Sequence, residues 1–421
     1  MRQVGRALSL TAAGLLVTSV AGVFAASGAA ASLPPHGSVV SEDPVNYTPN
    51  LVSNTVVSHP AIYALAQSGS TLFAGGAFNA VENSNRTTTY TRTHIMSFSA
   101  TSGAMTSFAP TLNGPVWTIV ADGSSVYVGG QFTTVNGVAR RGIVKLNATT
   151  GAVDTSFNAS LNSGKVNEAR LVNGRLIIGG TFSKKLMALN PTTGADTGFI
   201  NVPITGSVAS NAGSTDIYRF AVNPTGTRLV ALGNFTSVAG QTRYRAFMLD
   251  LGTTSASLSS WYYQPLENMC RADSLPAYLR DVDFSPDGSY FVFVSTGFIP
   301  NSGGEGRDLC DATARFETAN TAPLRPTWIN YTGGDTLHSV AVTGAAVYVQ
   351  GHQRWLNNGA VERPGIGAID PTTGLANSWN PTKTRAVGGK DMFVTSAGLW
   401  VGSDGKRFNG EYRYGIAFSP L

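Results

Sequence analysis

The stretch VYVGGQFTTVNGVARRGIVKLNATTGAVDTSFNASL, residues Val126–Leu161, sets the pattern of the whole chain. It is entered through the turn Asp122-Gly123-Ser124. It opens with a short apolar run ending in paired glycines and Phe132, and it closes with a Thr-Thr-Gly turn followed by an aromatic, Phe157. Glycine suits the entering turn because a two-residue hairpin loop needs positive φ. Paired glycines inside a strand let a neighbouring backbone or ring come close, or mark a bulge.

These landmarks recur along the chain. The entering turn returns at Gly69, Gly174, Gly226, Gly288, Gly344 and Gly398, which with Gly123 makes seven. The paired glycines return in FAGGAF up to Phe78 and IIGGTF up to Phe182, and degrade to ALGNF at Phe235. The closing turn and aromatic return as Gly103 with Phe108, Gly194 with Phe199 and Gly374 with Trp379, while Trp261 and Trp328 hold the place in two divergent units. Self-similarity at roughly 40 to 60 residues signals a solenoid or a propeller. Each unit reads as four short strands in a meander. One such antiparallel sheet cannot cover both of its faces, whereas a ring of them covers them mutually and leaves only short edges.

The last unit has strands around Met392, Trp400 and Ile416, and the chain stops at Leu421 without a fourth. The missing piece is VNYTPNL, Val45–Leu51, whose cadence matches SFAPTL from Ser107, SFNASL from Ser156 and SWNPTK from Ser378. The expectation is an all-β, seven-bladed β-propeller of four-stranded antiparallel blades, its last blade closed by an N-terminal strand. Residues 1–31 read as a signal peptide, 32–42 as a short linker and 43–421 as a single propeller domain.

Val126–Leu161 resembles the delta-60 type of secreted bacterial β-propeller repeat, and FSPDGSYFVF from Phe284 is similar to blades of WD-repeat-like and Tol-type propellers. The resemblance implies a secreted propeller. It implies no activity and no catalytic residues, because that family shares none and because fold does not fix function.

Composition agrees with many tight turns: 48 glycines, 13% charged residues, and apolar residues in short alternating runs. Arg2 and Arg6, the apolar run from Ala7 to Ala26 and the small residues Ala29-Ala30-Ala31 make a secretion signal, with a mature chain from Ser32. Loss of the two arginines reduces the net charge of +5 to +3. There is no Lys/Arg run to track a phosphate backbone, so no nucleic-acid partner is expected, and no second apolar span follows the signal. The two cysteines, Cys270 and Cys310, read as one disulfide in an oxidising compartment. They fall in loops of the same unit on the same face. A monomer is expected.

In a propeller the innermost strands line a central channel. Aligning them puts Tyr63, Trp117, Asn167, Tyr218, Arg280, His338 and Lys390 at one level, and Ala64, Thr118, Glu168, Arg219, Asp281, Ser339 and Asp391 at the next. Trp117, Glu168, Arg219, Arg280, Asp281, His338 and Asp391 are the candidate ligand-binding residues of this channel mouth. The acids and bases among them could equally pair across neighbouring blades. Arg92, Arg140, Arg243, Arg363 and Arg413 precede the third strands at matching places. They could hold carboxylate, sulfate or phosphate groups bidentately, or cap loop carbonyls. The loop aromatics Tyr90, Tyr262, Tyr263, Trp355 and Tyr412 could stack on sugars or pack the loops down. The five histidines show no paired spacing, and there is no calcium loop, nucleophile elbow or P-loop, so no metal, cofactor or catalytic residue is assigned. The leading reading is a non-enzymatic binding module for a glycan or protein ligand at the top face. The alternative is an extracellular polysaccharide lyase or hydrolase using the acids of the channel mouth.

Overall fold

The computed structural model describes residues 36–208, 213–268, 270, 278–297, 309–319, 324–387 and 390–421. The segment 1–31, expected to be a signal peptide, and the first residues of the expected linker lie outside the described residues. The chain is all-β. Among the described residues seven main sheets follow one another, each an antiparallel meander opened by an inner strand: Ala61–Ser68, Val116–Asp122, Val166–Val172, Asp216–Val222, Tyr278–Phe284, Leu337–Val342 and Asp391–Thr395. Each inner strand packs against the next, and Asp391–Thr395 packs against Ala61–Ser68. We number the sheets one to seven from the inner strands in that order.

The entering turns adopt the expected conformation at Gly69, Gly123, Gly174, Gly226 and Gly288, with φ between 55° and 72°. Gly344 and Gly398, the latter at φ 148°, are exceptions. The Gly344 hairpin is held by the Thr343 side chain, whose Oγ1 accepts the Ala346 N–H at 3.1 Å. The paired glycines are needed for two distinct approaches. A Cβ on Gly130 would run into the carbonyl oxygen of Pro115 within its own sheet, while a Cβ on Gly129 would meet Thr118 and Val166. Gly75 stands in the same way against Val116, Gly179 against Ile217, and Gly402 of sheet seven against Ile62 of sheet one. The junction between the last sheet and the first is therefore built like the others, and it shares a core in which Leu51, Ile62 and Phe98 pack with Trp400, Ile416 and Phe418.

The four-stranded expectation holds only for sheets four and five; sheets one, two, three, six and seven have three strands. In sheets one, two, three and six the fourth position shrinks to single bridges, Phe98 to Met105, Leu146 to Val153, Leu189 to Asp196 and Ile369 to Ala376. Proline explains part of this, since Pro110 and Pro381 have no N–H to give a ladder.

The N-terminal segment differs from expectation in the same way. Only Asn50–Leu51 is a strand, and its ladder partner is Val81–Glu82, in the loop hairpin of the first unit, rather than sheet seven. Val45 lies along sheet seven without forming a ladder: its N–H bonds to the Phe418 carbonyl at 3.0 Å. Thr106, Ser259 and Asn377 make the same bond in their own sheets, two residues before the closing aromatic and onto the third residue of the third strand. Leu51 to Val81 has its counterparts in Leu112 to Val135, Ile204 to Val238 and Lys383 to Phe408, each joining one sheet's end to the next unit's loop hairpin. Residues 36–42 are not a free linker either. Val40 is 2% exposed, its N–H bonds to the Tyr348 hydroxyl at 3.0 Å, and the Ser41 N–H bonds to the Pro420 carbonyl at 2.7 Å.

Cys270 and Cys310 are bonded, with Cα atoms 5.5 Å apart. The bond joins the approach to the inner strand of sheet five to the start of that sheet's third strand, Ala312–Glu317.

Candidate functional site: two rings in the central channel

Six of the seven inner strands carry a register shift, and in each case the residue skipped is the one that sequence alignment put at the channel mouth: Tyr63, Trp117, Asn167, Tyr218, Arg280 and His338. A bulge leaves one residue out of the ladder and re-aims its side chain. Lys390 takes the equivalent place just before the seventh strand. All of these side chains except Asn167 belong to half-buried residues.

This upper ring has two unlike arcs. On one side the Tyr63 and Trp117 rings stack at 4.5 Å and 5°, with Lys165 Nζ 5.1 Å from the Trp117 ring. Asn167 is committed to the frame, its Nδ2 donating to the Ile217 carbonyl at 2.9 Å. The other arc holds Tyr218, Arg280, His338 and Lys390, and the Arg280 guanidinium lies 5.5 Å from the Tyr218 ring centre. Burial alone would raise the Tyr218 pKa, but Arg280, Arg219 and Lys390 together bring it below the usual tyrosine value. Burial, with Lys390 and Arg280 beside it, pushes His338 down to about 2, so it is neutral. Burial and Arg280 also lower Lys390.

One residue further along is the lower ring, which opens on a cavity of about 430 Å³. Glu168 is buried and bonds Arg170 and Arg219, the latter at 2.7 Å, and it accepts from the Thr118 hydroxyl at 3.2 Å. Arg219 reaches across three sheets, donating also to the carbonyls of Trp117 at 3.4 Å and Asn167 at 3.3 Å. Burial alone would lower its pKa, but Glu168, Asp281 and Asp391 raise it above the ordinary value.

The inner strands are sheet edges, so their outward N–H groups need partners. Side chains of the preceding sheet supply them. Asp281 Oδ2 accepts the Val340 N–H at 3.0 Å, Asp283 Oδ2 the Val342 N–H at 2.8 Å, and Asp391 Oδ2 the Leu65 N–H at 2.7 Å, this last across the ring closure. Thr118 Oγ1 does the same for the Ala169 N–H at 3.1 Å.

Thus Glu168 and Arg219 meet directly, while Asp281 and Asp391 bond backbone rather than a base, and His338 meets neither aspartate in a hydrogen bond among the described residues. Sequence reading missed Asp283 and Arg170. Both lie two residues beyond an assigned ring position and therefore on the same face of the strand, a period that could have found them.

The loop arginines form no common cradle. Each guanidinium donates to the carbonyl of its preceding residue. A further bond goes to the segment before the closing aromatic, Arg92 to Thr106, Arg140 to Thr155, Arg243 to Ser259 and Arg363 to Asn377, and Arg243 also donates to Gln241 Oε1 at 3.1 Å. Arg413 bonds the Val45 carbonyl at 3.1 Å and the Asn46 side chain. Of the loop aromatics, Tyr263 is buried and the other four are half-buried. Among the described residues no group of three or more His, Cys, Asp or Glu could hold a metal ion, and no helix is long and apolar enough to cross a membrane.

Burial raises Asp281 to about 6, and Asp283, Asp391 and Asp311 each to about 7. A carboxyl raised in the folded state holds its proton where the unfolded chain has lost it. Stability therefore falls as pH rises from about 4 to about 7. His338, lowered, acts in the opposite direction below about 6.5 but is one group against four. The melting temperature is expected to be higher at pH 5 than at pH 7.5, with a smaller difference in Asp283→Asn. A melting temperature that rises over this interval would contradict the burial assigned to these carboxyls.

Residues 121–157 match the model of a domain of unknown function described as a β-propeller. No curated protein matches the chain. Among solved structures the chain is similar to the computationally designed Ika8 protein, at 10% identity and a TM-score of 0.47, covering 88% of this chain and 98% of that one. It is also similar to the β-propeller domain of Myceliophteria thermophila Cps50 (Swd1), at 10% identity and a TM-score of 0.43, covering 74% and 81%. The architecture is that of a β-propeller, and it suits a binding or scaffold module.

Proposed function

We propose that this β-propeller is seven-bladed, that residues 43–51 complete its last blade, and that it is a secreted, monomeric, non-enzymatic module binding an extracellular glycan or protein at the channel mouth. The observation that carries this reading is the commitment of the channel acids. Glu168 is bonded to two arginines, and Asp281, Asp283 and Asp391 accept backbone N–H groups of the next strand. Hydrolysis needs convergent carboxylates free to exchange protons with a substrate. What remains for a ligand is the upper ring of aromatics and cations. The Cys270–Cys310 bond suits an oxidising compartment, and the segment 1–31 is the proposed signal that delivers the chain there.

A competing reading keeps one support. Asp281 at about 6 and Asp391 at about 7 have values suited to a general acid. An array of polysaccharides and extracellular proteins, read for both capture and product release, separates the two. Capture without release, abolished by Trp117→Ala at unchanged melting temperature, is the expected result. Release of shortened or unsaturated sugars, lost in Asp281→Asn or Asp391→Asn, would replace binding with catalysis.

A further inference from the structure

Building on the proposed mouth site, we infer that its ligand is an acidic polysaccharide, a chain of carboxylate-bearing sugar rings, whose ring packs against the Tyr63–Trp117 arc while its carboxylate meets Arg280 and Lys390. The sheets bearing Tyr218, Arg280, His338 and Lys390 are consecutive, so the three bulge positions and the equivalent Lys390 form one uninterrupted arc. That arc brings the Arg280 guanidinium and the Lys390 amine together with the Tyr218 hydroxyl and the His338 imidazole. Lys390 forms no ion pair with a carboxylate within 4 Å among the described residues. Asp404, the acid whose charge bears on Lys390 and on the buried Lys383, accepts the Val387 N–H at 2.9 Å.

Arg280 lowers the Lys390 pKa and both lower that of His338, a repulsion that an incoming anion relieves. The opposite arc is the stacked Tyr63–Trp117 pair, each ring covering one face of the other with Lys165 over Trp117, and the remaining surface of this half-buried pair takes the C–H face of a sugar ring. Neither arc alone selects an acidic sugar. The two facing each other across one channel mouth match a ring that has an apolar face and a charged edge. The lower ring does not compete for the anion, since Arg219 and Arg170 already hold Glu168.

The full chain is tested against polygalacturonate and alginate, with dextran as the neutral polymer and polyuridylate as a polyanion that is not a sugar acid. Both polyuronates are expected to bind, with affinity falling as salt rises. Arg280→Gln and Lys390→Gln should each weaken binding by about tenfold or more, the scale of one charged hydrogen bond. The exposed-surface variant Lys184→Gln should bind as the parent does. The salt dependence of the parent protein serves where a variant does not fold. Equal binding of dextran, preference for polyuridylate, no polyuronate binding, or unchanged affinity in both cation variants overturns the inference. If dextran or a protein binds instead and Trp117→Ala abolishes it, the mouth site stands and only its acidic ligand falls. If binding persists in Trp117→Ala, the mouth site itself is wrong.

Discussion

Deletion of Asp43–Val52 should produce a protein that aggregates or melts far below the parent. The segment brings Leu51, 0% exposed, into the core between sheets seven and one, worth about 1.5 to 3 kcal/mol. It also supplies the partners of Phe418, Tyr414 and Ile416 carbonyls and of the Tyr414 N–H. These bonds contribute about 0.5 to 1.5 kcal/mol each, and burial of half of Val45 and Tyr47 adds to them. A loss of roughly 5 kcal/mol or more is a large share of the 5 to 15 kcal/mol that holds a typical domain. The deletion also bares the edge of Ile416–Pro420, an unpaired strand open to other chains. Scanning calorimetry with size-exclusion chromatography reads both effects. Moving the same residues to a flexible extension after Leu421 should restore much of the loss. An unchanged melting curve after the deletion would show that the segment closes nothing.

Loss of the Cys270–Cys310 bond should be the next largest effect. The bond closes a loop with a sequence separation of 40, which in the chain-entropy model contributes about 4 kcal/mol. At an unfolding entropy of about 2.1 cal/mol/K per residue this is a fall of roughly 5 °C for the double Cys→Ala variant. Because Cys310 lies just before the third strand of sheet five and is 1% exposed, truncation there also leaves a small void. A double variant that melts with the parent would mean that the loop is held by its other contacts alone.

The repeat was legible in the sequence because it rests on glycines and aromatics with a single structural use. Gly103 shows this well: a Cβ there would strike the Tyr47 carbonyl, as one on Gly151 would strike Pro110 and one on Gly194 would strike Asn158. Tyr47 therefore stands among the closing segments as its sequence suggested. The strand count was overread, because an aromatic followed by proline marks the position of a fourth strand without providing its N–H groups. Which sheet Asn50–Leu51 would ladder with could not be read from the segment alone. The answer depends on the loop hairpin of the neighbouring unit, whose contact with Leu51 is long-range in the chain.

The channel was legible as a set of levels and illegible as chemistry. Alignment put Tyr63, Trp117 and Lys390 on one level without revealing that most of that level is bulged, since a bulge inserts a residue without changing the alternation on either side. It also gave Asp281, Asp391 and His338 comparable standing. The acids turn out to satisfy edge N–H groups of the next inner strand, a demand set by sheets having free edges on a channel, and nothing local in the sequence signals that demand. The loop arginines recur because every unit needs its closing segment fastened, and Arg413 fastens Val45 for the same reason.

The division of the channel into a structural lower ring and a ligand-facing upper ring is tested most directly by measuring melting temperature and polyuronate affinity together on Arg219→Met and Lys390→Gln. Arg219→Met leaves Glu168 buried with one exposed partner, so a loss of about 3 kcal/mol and a melting temperature roughly 4 °C lower are expected, with affinity of the folded protein within about twofold of the parent. Lys390→Gln should melt with the parent and bind about tenfold more weakly. The reverse pattern, an Arg219→Met protein of full stability that no longer binds beside a Lys390→Gln protein that binds normally but melts early, would contradict the assignment of both rings.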